Sequence, residues 1–371
     1  MVGLRILILN WRDLKNPTAG GAEVVVDSIL KGLAAKGHKL TYFTSAFPGC
    51  KYEEQTKYGK IIRKGSMSTV YLHAFLYFLK HGRDFDFIVD SVSAVPFFTP
   101  LYFNSAKIIA IPHHIVGRVI FKELKFPKSL LAYIAERLIP LVYRNTNFIA
   151  VSDAVKLDLV NFGIRLKNIT TCYFGVYSGF EPASAKKFKN PTLITVSRLM
   201  KYKRVDLLLD IFRDLIRTID AELLIVGAGK ELTNLKAYAK KLGVYDKVKF
   251  LGWVSEKKKA ELLAKSWVFV TASEREGFGI SALEAEMSGT PVVAFKVGGL
   301  AEAVRNNYSG FLVDFGNMQE FTNKVLLILT DSKLRNRFYK NSVEYSKRFD
   351  PKKAILKIDN IVRSNSDKRT S

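Results

Sequence analysis

The sequence predicts an α/β protein made of two doubly wound domains, and three observations carry that prediction. Short apolar, often β-branched runs alternate with amphipathic helical stretches along most of the chain. The runs are continuously apolar, as strands buried on both faces of a parallel sheet are. The chain has 371 residues, more than one ordinary core takes, and a polar, lysine-rich stretch, SGFEPASAKKFKNP (178–191), breaks the alternation near its middle. The expected organisation is a first domain over 1–178, a linker over 179–190, a second domain over 191–349 and a closing helical segment within 350–371.

In the first half the strand signals are Arg5–Leu9, Leu40–Thr44, Phe87–Asp90, Ile108–Ile111, Phe148–Val151 and Thr170–Phe174. In the second half they are Thr192–Val196, Glu222–Val226, Val248–Leu251, Trp267–Thr271, Pro291–Phe295 and Gly310–Val313. Helical periodicity marks Gly21–Lys36, Arg204–Ile219, Leu232–Lys241, Ser255–Lys265 and Ile280–Ser288. Pro351 opens a last helix over Lys352–Val362, after which the chain turns charged and polar.

Apolar residues make up 48% of the chain, which places it among globular proteins and excludes disorder as its state. No apolar run is long enough to cross a bilayer, and the apolar start, MVGLRILILNWRD, is too short for a signal core, so the expected location is cytoplasmic. The two cysteines, Cys50 and Cys172, form neither a metal nor a redox pattern. The net charge of +24 suits polyanionic partners, whether nucleic acid, anionic lipid or phosphorylated ligands, or else a solvated basic surface.

In open parallel sheets, ligands sit beyond the carboxyl ends of the strands, so the loops after the strands are where chemistry is sought. Gly20 and Gly21 follow the first strand and open a helix, which serves either a tight turn or the approach of phosphate or sugar oxygens to backbone N–H groups. Arg198 and Lys203 flank the loop after Thr192–Val196, where a fork and a point charge can meet one diphosphate or simply be solvated. Gly227 and Gly229 follow the next strand, and Gly298 and Gly299 a later one. In EREGFGISALE, Glu276 lies in a strand-to-helix loop and Glu284 a turn into the helix. Carboxylates accept only, which suits vicinal hydroxyls, although acidic residues near a helix start need no ligand to explain them. Asp84 and Asp86 sit where a turn into a strand is expected rather than a metal site, and the adjacent His113 and His114 diverge too much to share a metal.

Together these segments resemble the family 4 retaining glycosyltransferases of the GT-B fold, two Rossmann-like domains facing across a cleft. The resemblance runs over nearly the whole chain. WRDLKNPTAGGAE, PFFTPLY, IPHH and FIAVSDAVKLDL match one branch of that family; SRLMKYKRVDLLL, VGAGKE, FLGWV, EREGFGISALEAEMSGTPVVA and VGGLAEAV match its nucleotide-sugar half. The resemblance implies that Arg198 and Lys203 hold a donor diphosphate, that Glu284 takes the ribose hydroxyls, and that Glu276 grips the sugar with the N–H groups of Gly277, Phe278, Gly279 and Ile280. It implies a base beside Val254, Gly227 in the donor loops, Gly20 and Gly21 near the reacting centre, and His113 on the sugar. It implies a last helix returning to the first domain. It also implies catalysis with no metal and no cofactor, the nucleotide-sugar being a substrate. Other functions on this fold are a nucleotide-sugar epimerase and a binding protein without turnover.

The branch often has an asparagine before PFFTP and a further histidine after the HH pair; here Ser93, Ala94 and Val116 stand there, both in the acceptor half. The stretch 117–144 interleaves Arg118, Lys122, Lys125 and Lys128 with Val119, Ile120, Phe121, Leu124 and Phe126. That mixture suits either a solvated helix or an anionic membrane surface, with a glycan or lipid-linked acceptor. Nucleic acid is not the expected partner, because the positive residues are spread over both halves.

Overall fold

The computed structural model describes residues 3–93, 95–175, 180 and 186–366. Most of the linker expected over 179–190 lies outside these residues, as do Ala94 and the end of the tail, 367–371. The chain divides into two units, Met1–Phe174 together with Asp350–Ser371, and Gly175–Phe349.

The first unit holds strands β1 (Arg5–Leu9), β2 (Lys39–Thr44), β3 (Glu53–Thr56), β4 (Gly59–Arg63), β5 (Phe87–Val92), β6 (Ile108–Pro112), β7 (Asn147–Ala150) and β8 (Ile169–Thr171). They form one sheet in the order β3-β4-β2-β1-β5-β6-β7-β8. Every pair is parallel except β3 and β4, a hairpin that corrects the expectation of six parallel strands. EEQTKYGKIIR escaped the pattern because β3 is an edge strand with no buried residue, and an edge needs no apolar run.

The closing helix, Pro351–Ser366, belongs to this unit. Gly32, in the helix Gly21–Ala35, is the reason it fits: a Cβ there would lie 2.4 Å from the Ile355 side chain. A buried bond fixes the register, with His38 Nε2 2.7 Å from Asp359 Oδ1. Because His38 Nδ1 accepts the Leu4 N–H at 3.2 Å, Nε2 carries the proton.

The second unit holds β9 (Thr192–Val196), β10 (Glu222–Val226), β11 (Val248–Gly252), β12 (Val268–Thr271), β13 (Val292–Phe295) and β14 (Gly310–Val313). All pairs are parallel, in the order β11-β10-β9-β12-β13-β14. From β9 the chain winds outward through β10 and β11; from β12 it winds the other way. The order therefore reverses between β9 and β12, the position at which sheets of this kind take ligands. The helix Val205–Leu215 covers one face and buries Leu208, Leu209, Ile211, Phe212 and Leu215, an apolar stripe at helical spacing.

Candidate active site

The reversal between β9 and β12 brings two of the sequence-predicted residues into direct contact. Lys203, at the end of the loop after β9, forms an ion pair with Oε1 of Glu276, in the loop after β12. The same oxygen accepts from Ser273 Oγ at 2.9 Å. Both side chains are largely shielded, at 13% and 18% exposure, so solvent screens the pair little. Burial alone would lower the Lys203 ammonium; Glu276 and the Tyr202 ring outweigh it, and its pKa is raised. Arg198 donates from Nη2 to the Tyr202 hydroxyl at 2.7 Å. Tyr202 O in turn accepts the Glu274 N–H at 2.8 Å, tying the two loops together.

Glycines let the neighbouring loops stack on these two. A Cβ on Gly227 would lie 1.9 Å from Ser197 O, and one on Gly229 2.2 Å from Leu199 O. On the other side, a Cβ on Gly298 would lie 2.2 Å from Glu276 O, and one on Gly299 2.2 Å from Gly277 O. The Gly299 N–H donates to Glu276 O at 3.0 Å. Gly279, at φ +90, caps the helix Ile280–Met287, a left-handed position that glycine takes without strain. Phe278 turns its ring into the core, 5.1 Å from Phe349, so only its backbone faces the loop chemistry.

Glu284 sits one turn into that helix, buried. Its Oε1 accepts from Lys259 Nζ at 2.8 Å; its Oε2 has no hydrogen-bond partner among the described residues. Burial raises its pKa to about 7 against the pull of Lys259. Val254, half-buried in the loop after β11, packs on the same core cluster as Phe180. Two residues beyond Glu284, Glu286 is also fully buried, with Ser309 as its hydroxyl donor, and burial holds its carboxyl well above the ordinary range.

In the first unit, the Gly20 N–H donates to Glu23 Oε2 at 2.6 Å, and Glu23 is locked in turn by Arg12 at 3.2 Å. The Gly20 amide thus has an internal acceptor, and Gly21 begins the helix, exposed. His113 follows β6 and is buried, with Nε2 2.9 Å from Ser91 Oγ. Burial, with His114 beside it, lowers its pKa to about 3, so the ring is neutral throughout the physiological range. Asp86 meets the Arg5 N–H at 2.8 Å, in the turn into β5 expected of it.

Two family models cover the chain in succession: Glycosyltransferase Family 4 matches residues 19–178, and Glycosyl transferases group 1 matches residues 180–345. The chain is a family 4 glycosyltransferase. It is 24% identical over 356 residues to N-acetyl-alpha-D-glucosaminyl L-malate synthase of Bacillus anthracis, covering 86% of this chain and 87% of that one. Among solved structures it is similar to sucrose-phosphate synthase of Thermosynechococcus elongatus, with TM-score 0.83 and 19% identity over 97% of this chain and 98% of the other. It is also similar to HepE of Anabaena, solved with UDP and glucose, with TM-score 0.73 and 19% identity over 97% of this chain and all of the other (100%). Two doubly wound domains of the GT-B type are therefore its fold.

Sequence reasoning missed three residues that shape this glycosyltransferase's loops. Tyr202 bridges Arg198 and the Glu274 amide, and Lys259 pairs with Glu284; both sit in lysine-rich stretches where one charge does not stand out. Glu136, from the helix Lys128–Arg137, is buried and accepts the N–H groups of Val116 and Gly117 at 2.6 and 2.7 Å. It clamps the loop that carries Val116, where the branch often has a histidine. Its spacing from that loop carries no local signal.

Proposed function

We propose that this glycosyltransferase moves a sugar from a nucleotide-sugar donor to a glycan or lipid-linked acceptor, with retention and without metal. The observation that carries the reading is the meeting of Lys203 and Glu276 at the reversal of strand order, with Arg198 on the same loop. When the sugar–phosphate bond breaks, negative charge builds on the leaving nucleoside diphosphate. Fixed cations and oriented amides stabilise such charge best where water is excluded. Arg198 and Lys203 supply the cations; the N–H groups of Gly277, Phe278, Gly279 and Ile280 supply the amides, and Gly227 lets the donor lie close to the backbone.

In this reading the diphosphate competes with Glu276 for Lys203 and frees the carboxylate to accept sugar hydroxyls. Glu276 binds and does not attack. The acceptor hydroxyl enters on the face the diphosphate leaves, its oxygen bonds to the anomeric carbon, and its proton passes to the departing phosphate. Glu284 takes the ribose and Val254 flanks the base. In the first unit, His113 is assigned to the sugar as a neutral hydrogen-bonding ring, and Gly20 and Gly21 to the reacting centre. The complex with UDP and glucose on a similar fold supports a uridine donor as the first to try.

The acceptor side of the proposal rests on an exposed apolar surface. Phe126 is 78% exposed, Leu131 64% and Leu141 68%, beside Lys125 and Lys128, a combination suited to an anionic membrane on the cytoplasmic face. The side chain of Lys122 lies outside the described ones. Among the described residues no helix is long and apolar enough to span a bilayer.

The test is incubation with UDP- and GDP-sugars, a chelator and lipid or glycan acceptors, following nucleoside diphosphate release and the anomeric configuration of the product. Acceptor-dependent release with an α-linked product from an α-linked donor is expected. Turnover of the donor's sugar with no acceptor present, or activity only after metal is added, contradicts it.

A further inference from the structure

We propose that Lys259 is a positioning residue for the donor's ribose, pinning one oxygen of Glu284 so that the other is presented to the sugar's hydroxyls. The inference rests on the reading of Glu284 as the ribose group. Lys259 lies on the helix Glu256–Lys265, which follows β11 and packs beside the helix bearing Glu284. Its ammonium is 2.8 Å from Glu284 Oε1 and 2.9 Å from Glu256 Oε2, and 5.0 Å from the centre of the Phe180 ring. Lys259 is 12% exposed and the Glu284 side chain 2%, so the bond is made away from bulk water.

The division of labour between the two carboxylate oxygens is the observation that points to a ligand. Oε1 is satisfied by Lys259, while Oε2 is buried with no donor among the described residues. A buried acceptor without a donor is costly and rare in folded proteins. A ribose hydroxyl is a donor of the right kind. Two hydroxyls on adjacent carbons bind a carboxylate well only when it is ionised and cannot turn, because a protonated carboxyl loses acceptor capacity. Burial works against ionisation here, and the Lys259 ammonium is the one described cation bonded to this carboxylate. Glu256, on the solvent side, holds the ammonium from its other flank. Lys259 therefore acts through Glu284 and need not touch the nucleotide.

The experiment measures dissociation constants of UDP and GDP, and of their 2′-deoxy counterparts, by calorimetry on the full chain. It compares the parent with Lys259→Met, Lys259→Arg and Glu284→Gln, each checked for an intact melting transition. The parent is expected to prefer the ribonucleotide. Lys259→Met should weaken ribonucleotide binding at least tenfold and leave the deoxynucleotide nearly unchanged, so that the preference collapses; Lys259→Arg should restore most of it. Glu284→Gln should collapse it too. If Glu284→Gln collapses the preference while Lys259→Met weakens both nucleotides equally, or neither, the positioning role is wrong and the ribose role of Glu284 stands. If Glu284→Gln leaves the preference intact, the ribose reading fails and the role of Lys259 falls with it.

Discussion

Lys203 and Glu276, 73 residues apart in sequence, are joined by an ion pair between the loops that leave two neighbouring strands. On the proposed reading, a donor diphosphate competes with Glu276 for Lys203, so the ion pair is a contact that substrate would replace. Lys203→Met leaves a shielded carboxylate with Ser273 as its side-chain donor. It is expected to lower stability by about 3 kcal/mol and to reduce kcat/KM at least a hundredfold, the order of a lost buried partner and of a lost charge-stabilising group. If Glu276 binds the sugar rather than attacks it, as proposed, Glu276→Gln should raise KM more than it lowers kcat. Steady-state kinetics with intact-mass measurement check this; a glycosyl adduct on the protein would contradict the binding role.

Glu286 gives the molecule a pH dependence of stability distinct from that of the site. Its carboxyl is held well above its ordinary range by burial, with Ser309 as hydroxyl donor and no cation bonded to it among the described residues. The folded state therefore keeps a proton that the unfolded chain gives up near its ordinary pKa. The contribution is fully present below that pKa and declines as pH rises through the folded value. Glu286→Gln, which mimics the protonated form, should flatten the fall in melting temperature as pH rises from about 5 to about 9. An unchanged slope would contradict the assignment.

The glycine-rich loops make a backbone prediction. Gly299 has an ordinary helical φ, but a Cβ there would meet Gly277 O at 2.2 Å, so Gly299→Ala must push the loop that carries Glu276. Gly316, at φ +89 with nothing within 4 Å of its Cβ, is the control. Gly316→Ala should cost about 1–2 kcal/mol of stability from backbone strain and leave donor affinity untouched. Gly299→Ala should weaken donor binding at least tenfold. Equal donor affinity in both variants would show that the loop stacking does not shape the site.

The exposed apolar surface of the first unit predicts vesicle binding. Leu131→Ser with Leu141→Ser removes two side chains more than 60% exposed, so the free energy of unfolding should hold within the roughly 0.5 kcal/mol typical of surface changes. Flotation with anionic vesicles at low salt should show binding by the parent and its loss in the double variant. No binding by the parent would remove the membrane from the account.

Much of the fold was legible because buried parallel strands carry their own signal. All six strands of the second unit lie where the apolar runs place them, with Thr192–Val196, Glu222–Val226 and Gly310–Val313 matching end to end. The hairpin Glu53–Arg63 was not legible, because an edge strand can be polar. The helix Val70–His81 was missed for the opposite reason: VYLHAFLYFLKH is apolar around most of its circumference, broken by His73 and Lys80, so no narrow stripe stands out, and it exposes Leu72, Leu76 and Leu79. The loop positions of Lys203 and Glu276 were legible from the strand pattern, and the structure brings these two side chains together. Tyr202, Lys259 and Glu136 were not, because the Glu274–Tyr202, Lys259–Glu284 and Val116–Glu136 hydrogen bonds join segments that local spacing does not relate.

Binding of a nucleoside diphosphate by the loops after β9 and β12, through Arg198 and Lys203, is read out by thermal shift with UDP, GDP and ADP in the presence of a chelator. At a hundred times its dissociation constant the right nucleotide should stabilise the parent by about 2.7 kcal/mol. Arg198→Ala and Lys203→Met should each lose most of that shift. If none of the three nucleotides shifts the parent, or if the shift survives both substitutions, the diphosphate site is not where these residues place it.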